Sequence, residues 1–115
     1  MKLRQKLLAA MVGMWATSAL AHSPLKTTNP GDEAVLKEAP AEIQLGFQGK
    51  IRLTKVTMIH QEQSGADLDL SGLDGFLSDF SIPFEGGGDG EYLIEWRGLG
   101  DDGHVMNGSF RFFVK

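Results

Sequence analysis

The sequence predicts an all-β domain, a Greek-key sandwich or barrel of about seven short strands. Three observations carry this prediction. Apolar residues recur at alternate positions in several segments, no run of about ten or more residues shows a helical period, and 15 glycines with 4 prolines punctuate the chain at short intervals.

Residues 1–21 stand apart from that domain. Lys2, Arg4 and Lys6 precede an apolar run from Leu7 through Ala21 that holds no carboxylate, and Ala19-Leu20-Ala21 is the small-x-small pattern at which a secretory signal peptide is cut. The apolar stretch is shorter than the roughly 20 residues of a bilayer-spanning helix. No cysteine follows the cut site to carry a lipid anchor. The expectation is a signal peptide over 1–21 and a mature domain over 22–115, exported and not inserted in a membrane.

Removing 21 of 115 residues leaves 94, enough for one small core and too few for two. The signal takes three of the 11 basic residues and none of the 15 acidic ones, so the mature balance is −7. Such a surface does not suit nucleic acid or an anionic membrane. It suits a cation, and acidity also keeps a small domain soluble. With no cysteine, the core holds without disulfides and every thiolate metal site is excluded.

Along the mature chain, Ile43, Leu45 and Phe47 alternate with Glu42, Gln44 and Gly46 after Pro40, which marks a first half-buried strand. A second runs from Ile51 to His60. Its inward positions are Ile51, Leu53, Val56 and Met58, and the three-residue step predicts a bulge at Thr54-Lys55. Tyr92, Ile94 and Trp96 share one face of a third strand, with Glu91, Glu95 and Arg97 on the other. Phe110, Phe112 and Val114 repeat the pattern at the C-terminus. Residues Gln61 to Gly90, rich in Gly, Asp and Ser, are expected to be loops enclosing one or two short strands. The Gly86-Gly87-Gly88-Asp89-Gly90 run has no helix setting or lysine and is a turn, not a phosphate cradle. Tyr92, after the Asp89-Gly90 turn, matches the tyrosine corner of Greek-key sandwiches, whose phenol bonds back to nearby backbone.

Chemistry concentrates at two places. Cleavage after Ala21 makes His22 the mature N-terminus, where the free α-amine and the imidazole Nδ1 can close a chelate ring on one cation. With three histidines in 115 residues, one directly after the cut is an infrequent coincidence. Late in the chain, Asp102 and His104 flank Gly103. In extended backbone, residues two apart point the same way, so both can converge on one ion while Asp101 points elsewhere. In sandwiches of this type the loops gather at two ends, so the N-terminus can meet the loop between the last two strands. Trp96 and Tyr92 are expected in the core.

On these residues the chain resembles the CopC family of periplasmic copper-resistance proteins. The likeness spans the mature domain. It is carried by His22, by Asn29-Pro30-Gly31-Asp32 with Pro40-Ala41-Glu42-Ile43-Gln44-Leu45, and by the run from Gly90-Glu91-Tyr92 to Trp96. It continues through Asp102-Gly103-His104 to Asn107-Gly108-Ser109-Phe110 and Phe112. The resemblance implies a cupredoxin-like Greek-key barrel that binds Cu(II) through His22, Asp102 and His104. It also implies copper sequestration, delivery or resistance in the periplasm, with another copper-handling protein, such as a membrane copper transporter, as partner. Many members carry a methionine-rich Cu(I) stretch, whereas this mature chain keeps only Met58 and Met106. Met58 is expected in the core and His60 at the surface, and no Cu(I) site is assigned.

The donor set favours copper on its own chemistry. Three nitrogens and a carboxylate oxygen suit tetragonal Cu(II), which tops the divalent affinity series, while zinc prefers tetrahedral sites; nickel stays open. Without cysteine a blue-copper electron-transfer centre cannot form. The amine and both imidazoles must be deprotonated to coordinate, so binding should weaken in acid. The expected function involves no reaction. One alternative is a copper-dependent oxidative enzyme resembling polysaccharide monooxygenases, which share the N-terminal histidine chelate. Such enzymes need a broad aromatic binding face, and here Tyr92 is the only tyrosine and Trp15 is lost with the signal. The other alternative is a metal-free β-sandwich interaction module.

Overall fold

Fifteen apolar side chains, drawn from β-strands and the residues beside them, set the fold; no polar or charged residue is buried with them among the described residues. The structure is a computed structural model that describes residues 24–115, so the expected signal peptide and His22 lie outside the described residues. The described chain is all-β, with seven strands and no helix. They are β1 (Leu25–Asn29), β2 (Ala34–Leu36), β3 (Glu42–His60), β4 (Ala66–Asp67), β5 (Leu77–Pro83), β6 (Gly90–Gly100) and β7 (Val105–Val114). They form a curled sheet in the order β1-β3-β6-β7-β2, with β4 and β5 also on β3. All pairs are antiparallel except β2 with β7.

The two strands expected at 42–47 and 51–60 are one strand of 19 residues. Exposed Gln48, Gly49 and Lys50 interrupt the apolar alternation where β3 passes from one half of the sheet to the other. Its first half pairs with β1 and β5, and its second half pairs with β6. The register shift between Leu53 and Lys55 is the bulge that the sequence spacing predicts. Between Gln61 and Gly90 the chain forms β4 and β5 among loops, as expected.

Register fixes which ends meet. Leu45 is flanked by Thr28 on one side and Phe80 on the other, while Ile51 is flanked by Leu77 and Gly100. Strand β5 therefore keeps one edge of β3, and β1 and β6 follow each other along the opposite edge. The start of β1 faces the end of β6. Curling lays the two halves over a shared core, in which Phe47 meets the Trp96 ring edge-on at 5.0 Å and Phe84 meets Tyr92 at 5.5 Å.

At the far end of β6, Tyr92 closes the barrel. Its ring is fully buried and stacks on Phe112 at 5.2 Å. The phenol accepts the Gly87 N–H at 2.9 Å and donates to the Gly88 carbonyl. This is the bond back to upstream backbone expected of a tyrosine corner. The Asn29-Pro30-Gly31-Asp32 turn, with a cis Asn29–Pro30 peptide, delivers the chain to β2 beside β7. There the Asp32 carboxylate accepts the Arg111 backbone N–H at 3.1 Å.

Candidate metal centre

Residues Asp101 to His104 join β6 to β7. The Gly103 N–H donates to the Gly100 carbonyl at 3.0 Å, and the Gly100 N–H donates to the His104 carbonyl at 2.9 Å. Gly103 has φ +89°, a left-handed conformation that side chains rarely adopt, so glycine is what permits the tight turn. The backbone here is turned, not extended as the period-2 argument assumed. Asp102 and His104 converge all the same, through a different device.

One Asp102 oxygen accepts the His104 backbone N–H at 3.0 Å, which makes an Asx-type turn. The other lies 2.9 Å from His104 Nδ1. Both side chains are largely in solvent, 60% exposed for Asp102 and 82% for His104. The imidazole and the backbone N–H of His104 hold the Asp102 carboxyl below its usual range. The carboxylate in turn raises the affinity of His104 for its proton. With Nδ1 facing Asp102, the ring's Nε2 points its lone pair outward in the neutral form. The pair supplies one carboxylate oxygen and one imidazole nitrogen to the surface.

Two donors do not complete a transition-metal site. Among the described residues no group of three His, Cys, Asp or Glu comes together. His22 precedes the described residues, which begin at Pro24. The Pro24 carbonyl accepts the Gln48 N–H at 2.9 Å, three residues along β3 from Ile51, the partner of Gly100. Three residues of strand span about 10 Å. Sequence reasoning gave no sign of this Pro24–Gln48 contact, because it is a backbone bond and no side-chain pattern records it.

Met58 and His60 lie elsewhere. They sit towards the Tyr92 end of β3, where Met58 is about 20 Å and His60 about 26 Å along the strands from Gly100 at roughly 3.3 Å per residue. Met58 is half-buried against the core, as expected. His60 is also half-buried, not a free surface residue. Its ring lies flat on Tyr92 at 4.2 Å, and its Nε2–H donates to the Asp89 carbonyl at 2.9 Å. After the bulge, Val56, Met58 and His60 all face inward, so His60 caps the end of the core.

The CopC domain model matches residues 25–115, nearly the whole described chain. The chain belongs to the CopC family. It is similar to copper resistance protein C of Escherichia coli, with 31% identity over 119 residues that cover 87% of this chain and 86% of that protein. The crystal structure of PcoC, a methionine-rich copper resistance protein of Escherichia coli, superposes with TM-score 0.57 at 30% identity, covering 83% of this chain and 100% of that one. The crystal structure of CopC from Methylosinus trichosporium OB3b superposes with TM-score 0.67 at 18% identity, covering 82% and 94% of the two chains, a likeness of fold.

Proposed function

We propose that this CopC-family chain is a periplasmic Cu(II) carrier, which sequesters or hands on the ion through His22, Asp102 and His104 and catalyses no reaction. The observation that carries the proposal is the Asp102–His104 pair, which presents an imidazole nitrogen and a carboxylate oxygen 2.9 Å apart on the surface. A metal with bonds of about 2.0 Å holds neighbouring right-angle ligands about 2.8 Å apart. An ion taking the place of the shared proton keeps Nδ1 and the carboxylate oxygen at that spacing, with the ring and the carboxylate turning so that both lone pairs meet on the ion. The relatives named for copper resistance support copper as the cargo. The course of β1 supports His22 as the second arm, since the chain leaves Pro24 beside the stretch of β3 that Gly100 also meets.

Copper is soft enough for imidazole and amine and hard enough for carboxylate, and its divalent form heads the affinity series for such sites. Residues 101–104 carry no sulfur donor, and the Met106 side chain packs over Gly100 beside the Asp102 carboxylate. An exported acidic chain then acts as a sink, or passes the ion to another copper-handling protein.

The test is a Cu(II) titration of the chain beginning at His22 beside a chain with one extra residue before it, with intact mass of the exported protein fixing the natural terminus. Trp96, the only tryptophan outside the first 21 residues, reports binding by quenching. The form beginning at His22 should bind at least about tenfold more tightly than the extended one. Equal affinity of the two forms, or no quenching with either, overturns the proposal.

A further inference from the structure

The chain is acidic, yet half of its eight Lys and Arg after the first 21 residues lie close together. Lys50, Arg52, Lys55 and Arg97 are all exposed on β3 and β6. Lys55 and Arg97 are directly opposite each other across the two strands. Like charges in that position are destabilising. Neither residue makes an ion pair, although Glu95 lines the same depression; the ion pairs among the described residues involve only Arg111 and His104. Arg111, by contrast, is held by Glu33 at 3.0 Å and Glu91 at 3.3 Å.

The rows of the outer face place these cations beside the metal turn. Arg52 faces Leu99, and Leu99 faces Val105, which follows His104 directly. Val105 is 65% exposed and Leu99 is partly exposed. In the next row Lys55, Arg97 and Asn107 line up beside a shallow depression that Thr57, Glu95 and Ser109 also line. An apolar spot with a cationic border, adjoining a ligand-bearing turn, has the composition of a protein interface.

We propose that this face of β3, β6 and β7, around Arg52, Lys55, Arg97, Leu99 and Val105, docks an acidic protein that exchanges copper with the Asp102–His104 turn. The exchange part rests on the function proposed above. Charge complementarity selects the partner: the two cations without an ion pair are neutralised by carboxylates, while Leu99 and Val105 need an apolar surface to cover them.

The experiment uses the chain beginning at His22, loaded with Cu(II), and two acceptor peptides, Gly-Gly-His followed by eight glutamates or by eight serines. Transfer is followed by recovery of Trp96 fluorescence. At low salt the glutamate acceptor should take the ion about tenfold faster or more, and the difference should shrink as salt rises. K55Q/R97Q should abolish the difference. K37Q/K115Q removes the same charge at the other end of the sheet and should preserve it. Equal rates for the two acceptors, or equal effects of the two double variants, overturn the docking face. Fluorescein-labelled octaglutamate titrated into the metal-free chain separates this proposal from the previous one. A chain that takes up no Cu(II) overturns the carrier function, while octaglutamate binding lost only in K55Q/R97Q still supports the face. Binding of the intact chain to phosphatidylglycerol vesicles that disappears in K55Q/R97Q assigns the face to lipid and overturns the protein partner.

Discussion

The indole of Trp96 occupies the space where Gly108 lacks a side chain: a Cβ there would lie 2.9 Å from Nε1 and 3.0 Å from two ring carbons. The two residues are cross-strand partners on β6 and β7. Gly108 is thus required for room, not for backbone freedom. Gly103 is the converse, with open space around it and a positive φ. The two glycines separate the two reasons for the residue within one hairpin.

Gly108→Ala should destabilise the fold by about 1–3 kcal/mol, because the ring must leave its rotamer or the strands must part. Chemical denaturation followed by Trp96 fluorescence measures it, with a shift in emission as the indole moves. Gly103→Ala should cost about 1–2 kcal/mol from the backbone alone. It should also weaken copper binding by opening the turn that brings Asp102 to His104.

Asp102→Ala and His104→Ala should each lower Cu(II) affinity at least about tenfold. Their stability should stay within about 0.5 kcal/mol of the parent, since both side chains are exposed and neither supports the core. Asp101→Ala should leave affinity nearly unchanged. Isothermal titration with parallel thermal melts reads both quantities.

Proton competition follows from the same pair. The Asp102 carboxylate raises the His104 proton affinity, so an NMR titration of the metal-free chain should place the ring's midpoint above the ordinary value of about 6.5. The ion pair's contribution is complete below that ordinary value and is lost as pH rises through the raised one. On the Asp102 side, whose pKa is lowered, the contribution is present above the usual carboxylate range and lost as pH falls through the depressed one. Copper should begin to leave His104 at a higher pH than it would leave an isolated imidazole. Asp102→Asn should bring the His104 midpoint back towards 6.5, and an unchanged midpoint would show that the contact is not made in solution.

Tyr92→Phe removes the hydroxyl that holds Gly87 and Gly88 and should destabilise by about 1–3 kcal/mol. Copper affinity should not change, because Tyr92 and the Asp102 turn stand at opposite ends of β6. A joint loss of stability and affinity would mean that the two ends are coupled through the strand.

Much of the architecture was legible because burial is periodic. Tyr92, Ile94 and Trp96, and Phe110, Phe112 and Val114, face one way in the sequence pattern and are buried in the structure. The bulge at Thr54 showed as a three-residue step. Strand β1 left little trace, since its exposed Lys26 and Thr27 are held by backbone pairing to β3 and not by an apolar face. The unity of β3 was hidden for a related reason: Gln48, Gly49 and Lys50 belong to a strand whose neighbours change beneath them. The convergence of Asp102 and His104 was foreseen on the assumption of extended backbone and is achieved by an Asx turn about Gly103. Side-chain spacing was visible there, and the φ angle that realises it was not. His60 misled because a histidine at the end of a strand reads as solvated, and only the fold brings the flat face of Tyr92 beneath it.

Strand β3 is shared between both halves of the sheet, so neither half can loosen without breaking a ladder that the other depends on. Melting should be cooperative, a single transition at the same temperature by every probe. The scaffold behind the Asp102–His104 rim is then held by its own ladders. A domain stitched through its longest strand keeps the turn between β6 and β7 as a fixed rim.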